Sequence, residues 1–263
     1  MKKIKIICTL GPKSFNKKVL NKLKSEKVDI FRINLSHTPK YDIEKKINYL
    51  KKNKIKNICI DTEGAQVRTS FIKKNVFLKR KSIVKVFNTN INSTKKKIYL
   101  LPKFKMNQVS KNSTIDIGFN SLQLKVLGYN KRENFLRCMV IKEGILGANK
   151  GVHLSSKLNL PALTEKDKFA LELANKKKIK FLAISFVNYT KDIELVKEVC
   201  GSKKFIISKI ETLNALKNLR SIAKKSNAML IDRGDLSRYV PIEEIPLIQK
   251  KILQFSKKIN SRH

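Results

Sequence analysis

A short apolar run that ends in a lysine and a carboxylate constrains the fold of this chain more than any other stretch. Residues 205–212 read FIISKIET, and strand alternation would place Lys209 and Glu211 on one face. Thr212 and the apolar spacing behind it are typical of a helix that starts directly after a strand. Because α/β folds gather chemistry at the C-terminal ends of buried strands, the stretch predicts a strand–helix unit with a site at its end. A simple salt bridge at the strand end is the alternative.

A second stretch repeats this pattern with a different polar end. Residues 228–236 read AMLIDRGDL, an apolar strand pattern that runs into Arg233, Gly234 and Asp235. If this strand neighbours the first, the carboxylates of Glu211 and Asp235 approach each other at the strand tips. Two carboxylates beside a lysine suit Mg²⁺ or Mn²⁺ together with an anionic substrate.

Strand and helix patterns alternate through both ends of the chain. Strands are predicted at 4–10, 28–35, 57–61, 181–186, 205–211 and 228–235. Helices are predicted between them, with Ser14, Thr164 and Thr212 as the expected caps of three of these helices. Residues 164–167, with Thr164 and Asp167 at their ends, read as an imperfect capping box. Polar residues follow each strand, which is typical of a parallel α/β fold with its site at the strand C-termini. A (β/α)₈ barrel needs eight such units, so six units predict an incomplete TIM-type barrel.

The middle of the chain follows a different pattern. From 71 to 157, short strand-like runs are separated by Asn, Gly and Lys, and we find no amphipathic helix pattern. The predicted strands are 82–87, 97–100, 113–117, 122–127 and 135–141. We therefore predict three segments: barrel units 1–3 in residues 1–70, an inserted all-β cap domain in 71–157, and barrel units 4–6 in 158–263. Leu160, Pro161 and Ala162 mark the second boundary.

Composition narrows the partners and the compartment. Only nine of the 59 basic residues are arginine, and lysines occur along the whole chain, so the net charge of +39 indicates compositional bias more than a nucleic-acid site. Nonspecific adhesion to polyanions is still expected. The four cysteines form no CxxC pair and indicate free thiols in a reducing compartment. With no apolar run near 18 residues and no leader pattern, we expect a soluble cytoplasmic protein without a membrane partner.

Six short segments give a resemblance to a known family. They are ICTLGP (7–12), RINLSH (32–37), DTEGAQVRT (61–69), LPA with EKD (160–162, 165–167), SKIE (208–211) and RGDL (233–236). In this order, with the β insertion in the family's place, they resemble pyruvate kinase over essentially the whole chain. The resemblance implies barrel strands 1–6 and the cap domain, without the last two barrel units and the C-terminal domain.

The resemblance also implies roles for individual residues in phosphoryl transfer between phosphoenolpyruvate and ADP, which gives pyruvate and ATP in glycolysis. Lys209 would neutralise the phosphoryl group in flight, with Arg32 on the phosphate and Arg68 nearby. Glu211 and Asp235 would hold Mg²⁺ or Mn²⁺. The backbone amides of Gly234 and Asp235 would face the substrate carboxylate.

Two further ligand sets come only from the resemblance. Side-chain oxygens at adjacent strand ends would bind K⁺, and they belong to Asn34, Ser36, Asp61 and Thr62. Two residues match positions near the nucleotide, namely Pro12 and His37. Asn188 and Asp232 depart from the family, which usually has an arginine and a small residue there.

Two alternative functions and one question of assembly stay open. The chain could be a non-catalytic relic that binds metal and phospho-ligands, or a metal-dependent lyase acting on pyruvate or oxaloacetate through the same enolate site. An open six-stranded sheet would expose the edges of its first and sixth strands. We therefore expect closure by self-association, by strands from another chain, or by contraction into a smaller barrel.

Overall fold

The computed structural model describes residues 4–89, 91–118 and 121–260, with side chains described as far as residue 256. The chain divides into two compact units. One contains the residues up to Gly64 and from Ala162 onward, and the other runs from Ala65 to Pro161. The predicted insertion, 71–157, falls inside the second unit.

From residue 4, where the described part begins, the first part of the α/β unit contains three strands and two α-helices. They are β1 (Ile7–Thr9), α1 (Lys17–Ser25), β2 (Ile30–Asn34), α2 (Lys40–Lys52) and β3 (Ile58–Asp61). The expectation that Ser14 caps α1 is wrong, because Pro12–Ser14 forms a 3-10 turn. Asn16 caps the helix instead, and its Oδ1 accepts a 2.8 Å hydrogen bond from the Val19 N–H. Proline favours the tight turn, since its ring fixes φ, and the helix begins after the next suitable side chain.

The described residues of the second unit form nine strands. They are β4 (Val67–Thr69), β5 (Val76–Leu78), β6 (Ile83–Phe87), β7 (Lys97–Leu101), β8 (Thr114–Ile117), β9 (Leu122–Asn130), β10 (Phe135–Lys142), β11 (Gly144–Leu146) and β12 (Gly151–Leu154). Seven of them close into a barrel in the order β10-β6-β7-β4-β12-β8-β9, while β5 and β11 pair separately. The strand-like runs of the sequence predicted β6, β7, β8, β9 and β10, and they missed β4, β5, β11 and β12, which have only three or four residues each.

As far as residue 260, where the described part ends, the chain then resumes the α/β unit with three strands and six α-helices. They are α3 (Glu165–Lys176), β13 (Phe181–Ile184), α4 (Thr190–Cys200), β14 (Phe205–Ile210), α5 (Leu213–Lys217), α6 (Leu219–Lys225), β15 (Ala228–Ile231), α7 (Arg233–Leu236) and α8 (Ile245–Asn260). The predicted capping box at Thr164 is confirmed. So is the cap at Thr212, which accepts the Ala215 N–H.

The last strand is shorter than the sequence pattern predicted. Strand β15 ends at Ile231, and Asp235 lies in the short helix α7 rather than on the strand. The side chain of Asp232 caps this helix by accepting the Asp235 N–H, so the chain turns as soon as a suitable cap follows the apolar run. Asp235 therefore reaches the strand ends from a helical turn.

The six strands of this unit form one parallel sheet in the order β1-β2-β3-β13-β14-β15. One face of the curled sheet packs against the helices, with fully buried residues such as Ile33, Ile60, Leu182 and Ile206. The prediction of an incomplete TIM-type barrel with an all-β insertion is confirmed. In the part of the chain that the structure describes, β1 and β15 each have a strand neighbour on one side only.

No helix among the described residues has the length and apolar character that a membrane span requires.

Candidate active site

The parallel sheet brings polar residues of β2, β3 and β14 to its carboxyl edge. Asn34 lies level with Asp61 in the register of β2 and β3, and Asp61 lies level with Ala183 of β13. Lys209 near the end of β14 is level with Leu230 of β15. This arrangement follows from the parallel register, because all the strands end on the same side.

Lys209 is the centre of this edge. Its side chain is buried, and its Nζ lies 2.8 Å from Oε1 of Glu211, 3.4 Å from Oδ2 of Asp232 and 3.8 Å from Oδ1 of Asp61. The ammonium also donates a 3.2 Å hydrogen bond to the hydroxyl of Ser185. A buried ammonium is stable only with such partners, so these groups explain why an apolar strand tolerates a lysine.

Burial and the neighbouring charges shift the pKa values of Lys209 and of the carboxyl groups around it. Burial opposes the charged ammonium, but the carboxylates of Asp61 and Glu211 raise the pKa of Lys209 above its usual value. Burial also raises the pKa of Glu211 to about 7, an effect that the Lys209 charge opposes. The pKa of Asp61 is raised by burial as well, against the charges of Lys209 and Arg32. The ammonium therefore stays protonated across the physiological range.

Glu211 is fixed on both of its oxygens. The residue is 0% exposed, and Oε2 accepts a 2.6 Å hydrogen bond from the backbone N–H of Phe186. Phe186 adopts φ = 54°, a left-handed conformation that is rare for a bulky side chain. The turn after β13 thereby aims a main-chain donor at the carboxylate, and the orientation of Glu211 is set without a ligand.

Three carboxylates form a cluster beside Lys209. One oxygen each from Glu211, Asp232 and Asp235 lies within 4.8 Å of the others. Burial tends to raise the pKa of Asp232, but the Lys209 charge and the Asp235 N–H hold it below its usual value. Oε1 of Glu211 is buried and lies 2.8 Å from the Lys209 ammonium. Hard carboxylate oxygens with spare acceptor capacity fit a divalent cation such as Mg²⁺ or Mn²⁺.

Arg32 forms the other side of the site. Its Nη1 lies 3.6 Å from Oδ2 of Asp61, and its Nε donates a 2.7 Å hydrogen bond to the hydroxyl of Thr9. Oδ2 of Asp61 is buried and accepts no hydrogen bond within the described ranges. Asp61 thus lies between two cations, Arg32 and Lys209. These two cations are groups that bind an oxyanion ligand.

Helix α3 holds the loop that follows Asp61 and Thr62. The carboxylate of Asp167, 0% exposed, accepts hydrogen bonds from the backbone N–H groups of Glu63 (2.8 Å), Gly64 (3.1 Å) and Thr164 (3.0 Å). Lys166, next to it in the helix, donates to the carbonyl of Leu35 and pairs with Glu63. The loops after β2 and β3 are therefore tied together by two neighbouring side chains.

Comparisons with known proteins agree with this geometry. The family model described as pyruvate kinase, barrel domain, matches residues 1–262. The chain belongs to the pyruvate kinase family. The pyruvate kinases of Staphylococcus aureus strains MRSA252 and USA300 are each 30% identical to it over 271 residues. The alignments cover 98% of this chain and 46% of each relative, so the chain spans about half the length of these pyruvate kinases.

The remaining site residues predicted from the pyruvate kinase resemblance lie in several places. Pro12 and His37 belong to 3-10 turns directly after β1 and β2. Oδ1 of Asn34 accepts the N–H of Ser36 at 2.9 Å. Gly234 is in α7.

Thr62 follows β3 and is linked to Ser185. Its hydroxyl accepts the Ser185 N–H at 3.0 Å, and its carbonyl accepts the Ser185 hydroxyl at 2.6 Å. Arg68 belongs to β4 in the second unit, where its Nη1 donates to the carbonyl of Asn149.

Sequence reasoning did not single out Ser185 or Asp167. Ser185 connects Lys209, Asp61 and Thr62, and it directly follows the four buried residues of β13. A hydroxyl immediately after a fully apolar strand was the available signal. Asp167 was interpreted as part of a capping box, which it is, but its hydrogen bonds to a loop 103 and 104 residues away carry no local signal.

Proposed function

We propose that this chain supports pyruvate kinase-type chemistry, the transfer of a phosphoryl group between phosphoenolpyruvate and ADP. The observation that carries this proposal is the position of Lys209, a buried ammonium between Asp61, Glu211 and Asp232 at the carboxyl edge of the sheet. Phosphoryl transfer depends mainly on positioning and on neutralising the charge of the phosphoryl oxygens. Since the chain spans about half the length of the relatives, their full activity is part of the proposal.

In this proposal Lys209 and Arg32 act on the phosphoryl group. The P–O bond to the enol oxygen breaks, a P–O bond to the terminal phosphate of ADP forms, and the enolate takes up a proton from solvent at carbon. Lys209 and Arg32 neutralise the oxygens of the group in flight, while Thr9 and Asp61 hold the guanidinium in place. We assign Arg68 to the same phosphate as an auxiliary cation.

Glu211 and Asp235 are the proposed ligands of Mg²⁺ or Mn²⁺. A bound divalent cation would supply Lewis acidity toward the substrate carboxylate and the enolate oxygen. The carboxylate cluster supports this assignment, because one oxygen each of Glu211 and Asp235 lies within 4.8 Å of the other. The backbone amides of Gly234 and Asp235 are proposed to face the substrate carboxylate.

The proposed K⁺ site and the proposed ADP contacts are supported by the positions of their residues in the fold. Asn34 and Asp61 are register partners at adjacent strand ends, and Ser36 and Thr62 follow them directly. Their oxygen donors match a K⁺ site in type. Pro12 and His37 begin and end turns behind β1 and β2, and we assign them to ADP.

We further propose that a partner supplies strands to the open sheet. At the amino ends of the strands, a cavity of about 230 Å³ is lined mostly by apolar side chains, including Ile30, Phe181, Phe205 and Ile207. Within the described residues, β1 and β15 have one strand neighbour each. A second copy of the chain is the simplest partner, and a different chain carrying parallel strand–helix units is the alternative. Sedimentation equilibrium from about 1 to 100 µM tests the first, and a monomer throughout would exclude it.

The compartment and the charged surface belong to the same proposal. The four cysteines are free thiols, three of them buried, which agrees with a reducing, cytoplasmic setting. Nonspecific binding to polyanions follows from the net charge of +39 and should weaken steeply with salt.

The first experiment measures pyruvate formation from phosphoenolpyruvate and ADP with Mg²⁺ and K⁺. Wild type should form pyruvate, and Lys209→Met should reduce the rate by at least about a thousandfold, because the main charge on the phosphoryl oxygens is gone. Lys168→Met is the matched control, since it removes a lysine from a surface ion pair with Glu165. Lys209→Arg retains the charge. Comparing its thermal melt with that of Lys209→Met separates loss of chemistry from loss of folding.

Other outcomes of these assays would favour a different function for the chain. Pyruvate formed from oxaloacetate without ADP would favour the lyase. Ligand-induced stabilisation without any product would favour a binding protein. Full activity in Lys209→Met would exclude phosphoryl-transfer catalysis at this edge of the sheet.

A further inference from the structure

Asp232 contacts both charged groups of the proposed site. Its Oδ2 lies 3.4 Å from Nζ of Lys209, and one of its oxygens lies within 4.8 Å of oxygens from Glu211 and Asp235. Its Oδ1 also accepts the Asp235 N–H at 3.4 Å, so the side chain is held by the turn that begins α7. The carboxylate is half-buried and therefore accessible from the site.

The cluster has more negative charge than Lys209 alone balances. The ammonium has three carboxylates within 4 Å, and one of them, Asp61, also faces Arg32. One oxygen each of Glu211 and Asp232 lies within 4.8 Å of the other. Two adjacent carboxylates repel each other unless a cation or a proton lies between them.

A second observation points to a cation rather than to a purely structural cluster. Glu211 is 0% exposed; its Oε2 accepts the Phe186 N–H at 2.6 Å, and its Oε1 faces the Lys209 ammonium at 2.8 Å. A carboxylate offers about four lone-pair sites on its two oxygens, so Oε1 can bind a cation beside the ammonium, inside the acidic cluster. Three carboxylates and hard oxygen ligands suit Mg²⁺ or Mn²⁺.

We propose that Asp232 is a third carboxylate ligand that lets this chain bind a divalent cation before any substrate, and that it occupies Lys209 until the cation is bound. The inference rests on the proposed metal site of Glu211 and Asp235 and goes beyond it. Without the cation, Asp232 competes with an incoming phosphate for the ammonium. With the cation, its charge is neutralised and Lys209 is available to the substrate oxyanion.

Mn²⁺ binding to the substrate-free protein, followed by electron paramagnetic resonance, tests the first part. Asp232→Asn should weaken Mn²⁺ binding by about tenfold or more, because it removes a charged ligand. The amide oxygen can still accept the Asp235 N–H, so the cap of α7 is kept. Glu194→Gln, which removes a carboxylate from a surface ion pair with Lys225, should bind Mn²⁺ within about twofold of wild type.

Phosphoenolpyruvate binding by calorimetry, with and without Mn²⁺, tests the second part. Wild type should require Mn²⁺, whereas Asp232→Asn should bind the ligand without metal at least about tenfold more tightly than wild type does. Mn²⁺ affinity unchanged in Asp232→Asn, or no Mn²⁺ binding by wild type, would overturn the inference. Tight Mn²⁺ binding that depends on Asp232 but yields no pyruvate would sustain it and refute the proposed catalysis instead.

Discussion

The backbone N–H of Phe186 donates a 2.6 Å hydrogen bond to Oε2 of Glu211, and Phe186 is left-handed at φ = 54°. A carboxylate with a pKa raised to about 7 by burial is thereby held in one orientation by main chain. The side chain of Asn188 supports the turn, because its Nδ2 donates to the Phe186 carbonyl and its Oδ1 accepts from the Thr212 hydroxyl. Asn188 is therefore part of the framework behind Glu211.

This relationship predicts a difference between two variants of Glu211. Glu211→Ala should lower the free energy of unfolding by about 2–4 kcal/mol, because the buried Phe186 N–H loses its acceptor and Lys209 loses its closest partner. Glu211→Gln should cost less, since the amide oxygen still accepts the N–H. Urea unfolding at pH 7 measures both, and equal losses would mean that the Phe186 hydrogen bond contributes little.

Gly64 predicts a steric effect on the loop behind Asp61. Its φ is +65°, and a Cβ there would lie 2.6 Å from the carbonyl oxygen of Ser185. Gly64→Ala should therefore destabilise the protein by about 2 kcal/mol or more and displace Ser185 from Lys209. Gly11→Ala is the control, because Gly11 has extended backbone and nothing within 4 Å of the added Cβ. Chemical denaturation of both variants would contradict the argument if they lost the same stability.

The hydrogen bonds of Asp167 predict that a small chemical change at this residue strongly reduces the stability of the protein. Asp167→Asn should reduce the free energy of unfolding by about 2–3 kcal/mol, because an amide N–H would face a backbone donor that the carboxylate now satisfies. Glu165→Gln, two residues earlier and 86% exposed at its side chain, should change it by less than about 0.5 kcal/mol. Urea titrations compare them. An Asp167→Asn variant as stable as Glu165→Gln would show that the loop does not depend on this carboxylate.

The cysteines predict a simple pattern of thiol reactivity. Burial raises the pKa of Cys138 to about 12 and moves that of Cys59 well above its usual value, while Cys8 is half-buried. A thiol-reactive disulfide reagent should label Cys8 first under native conditions and all four thiols in urea. Cys8→Ser should lack the fast phase. A fast phase that persists in this variant would place a mobile opening near one of the buried thiols.

Much of the fold was predictable from the sequence, because the local patterns of several strands and helix caps are strong. The three strands after residue 180 were each predicted within a few residues, since apolar runs bounded by polar ends are short and distinct. The capping side chains of Thr164 and Thr212 were also predictable, because a cap acts on N–H groups two or three residues away. The Ser14 cap was wrong for the same local reason, as Pro12 made a turn first and moved the cap to Asn16.

The residue types at the site came from the sequence, and their contacts came from the tertiary structure. Strand alternation alone placed Lys209 and Glu211 on one face, and the motifs gave the family. The contacts of Lys209 with Asp61, 148 positions earlier, and with Asp232 depend on the order of strands in the sheet. No local pattern encodes that order, because it is set by how helices and strands bury their apolar faces together. Tertiary packing therefore decided that Asp232 reaches the ammonium, that Ser185 links three site residues, and that Asp167 holds the loop beside them.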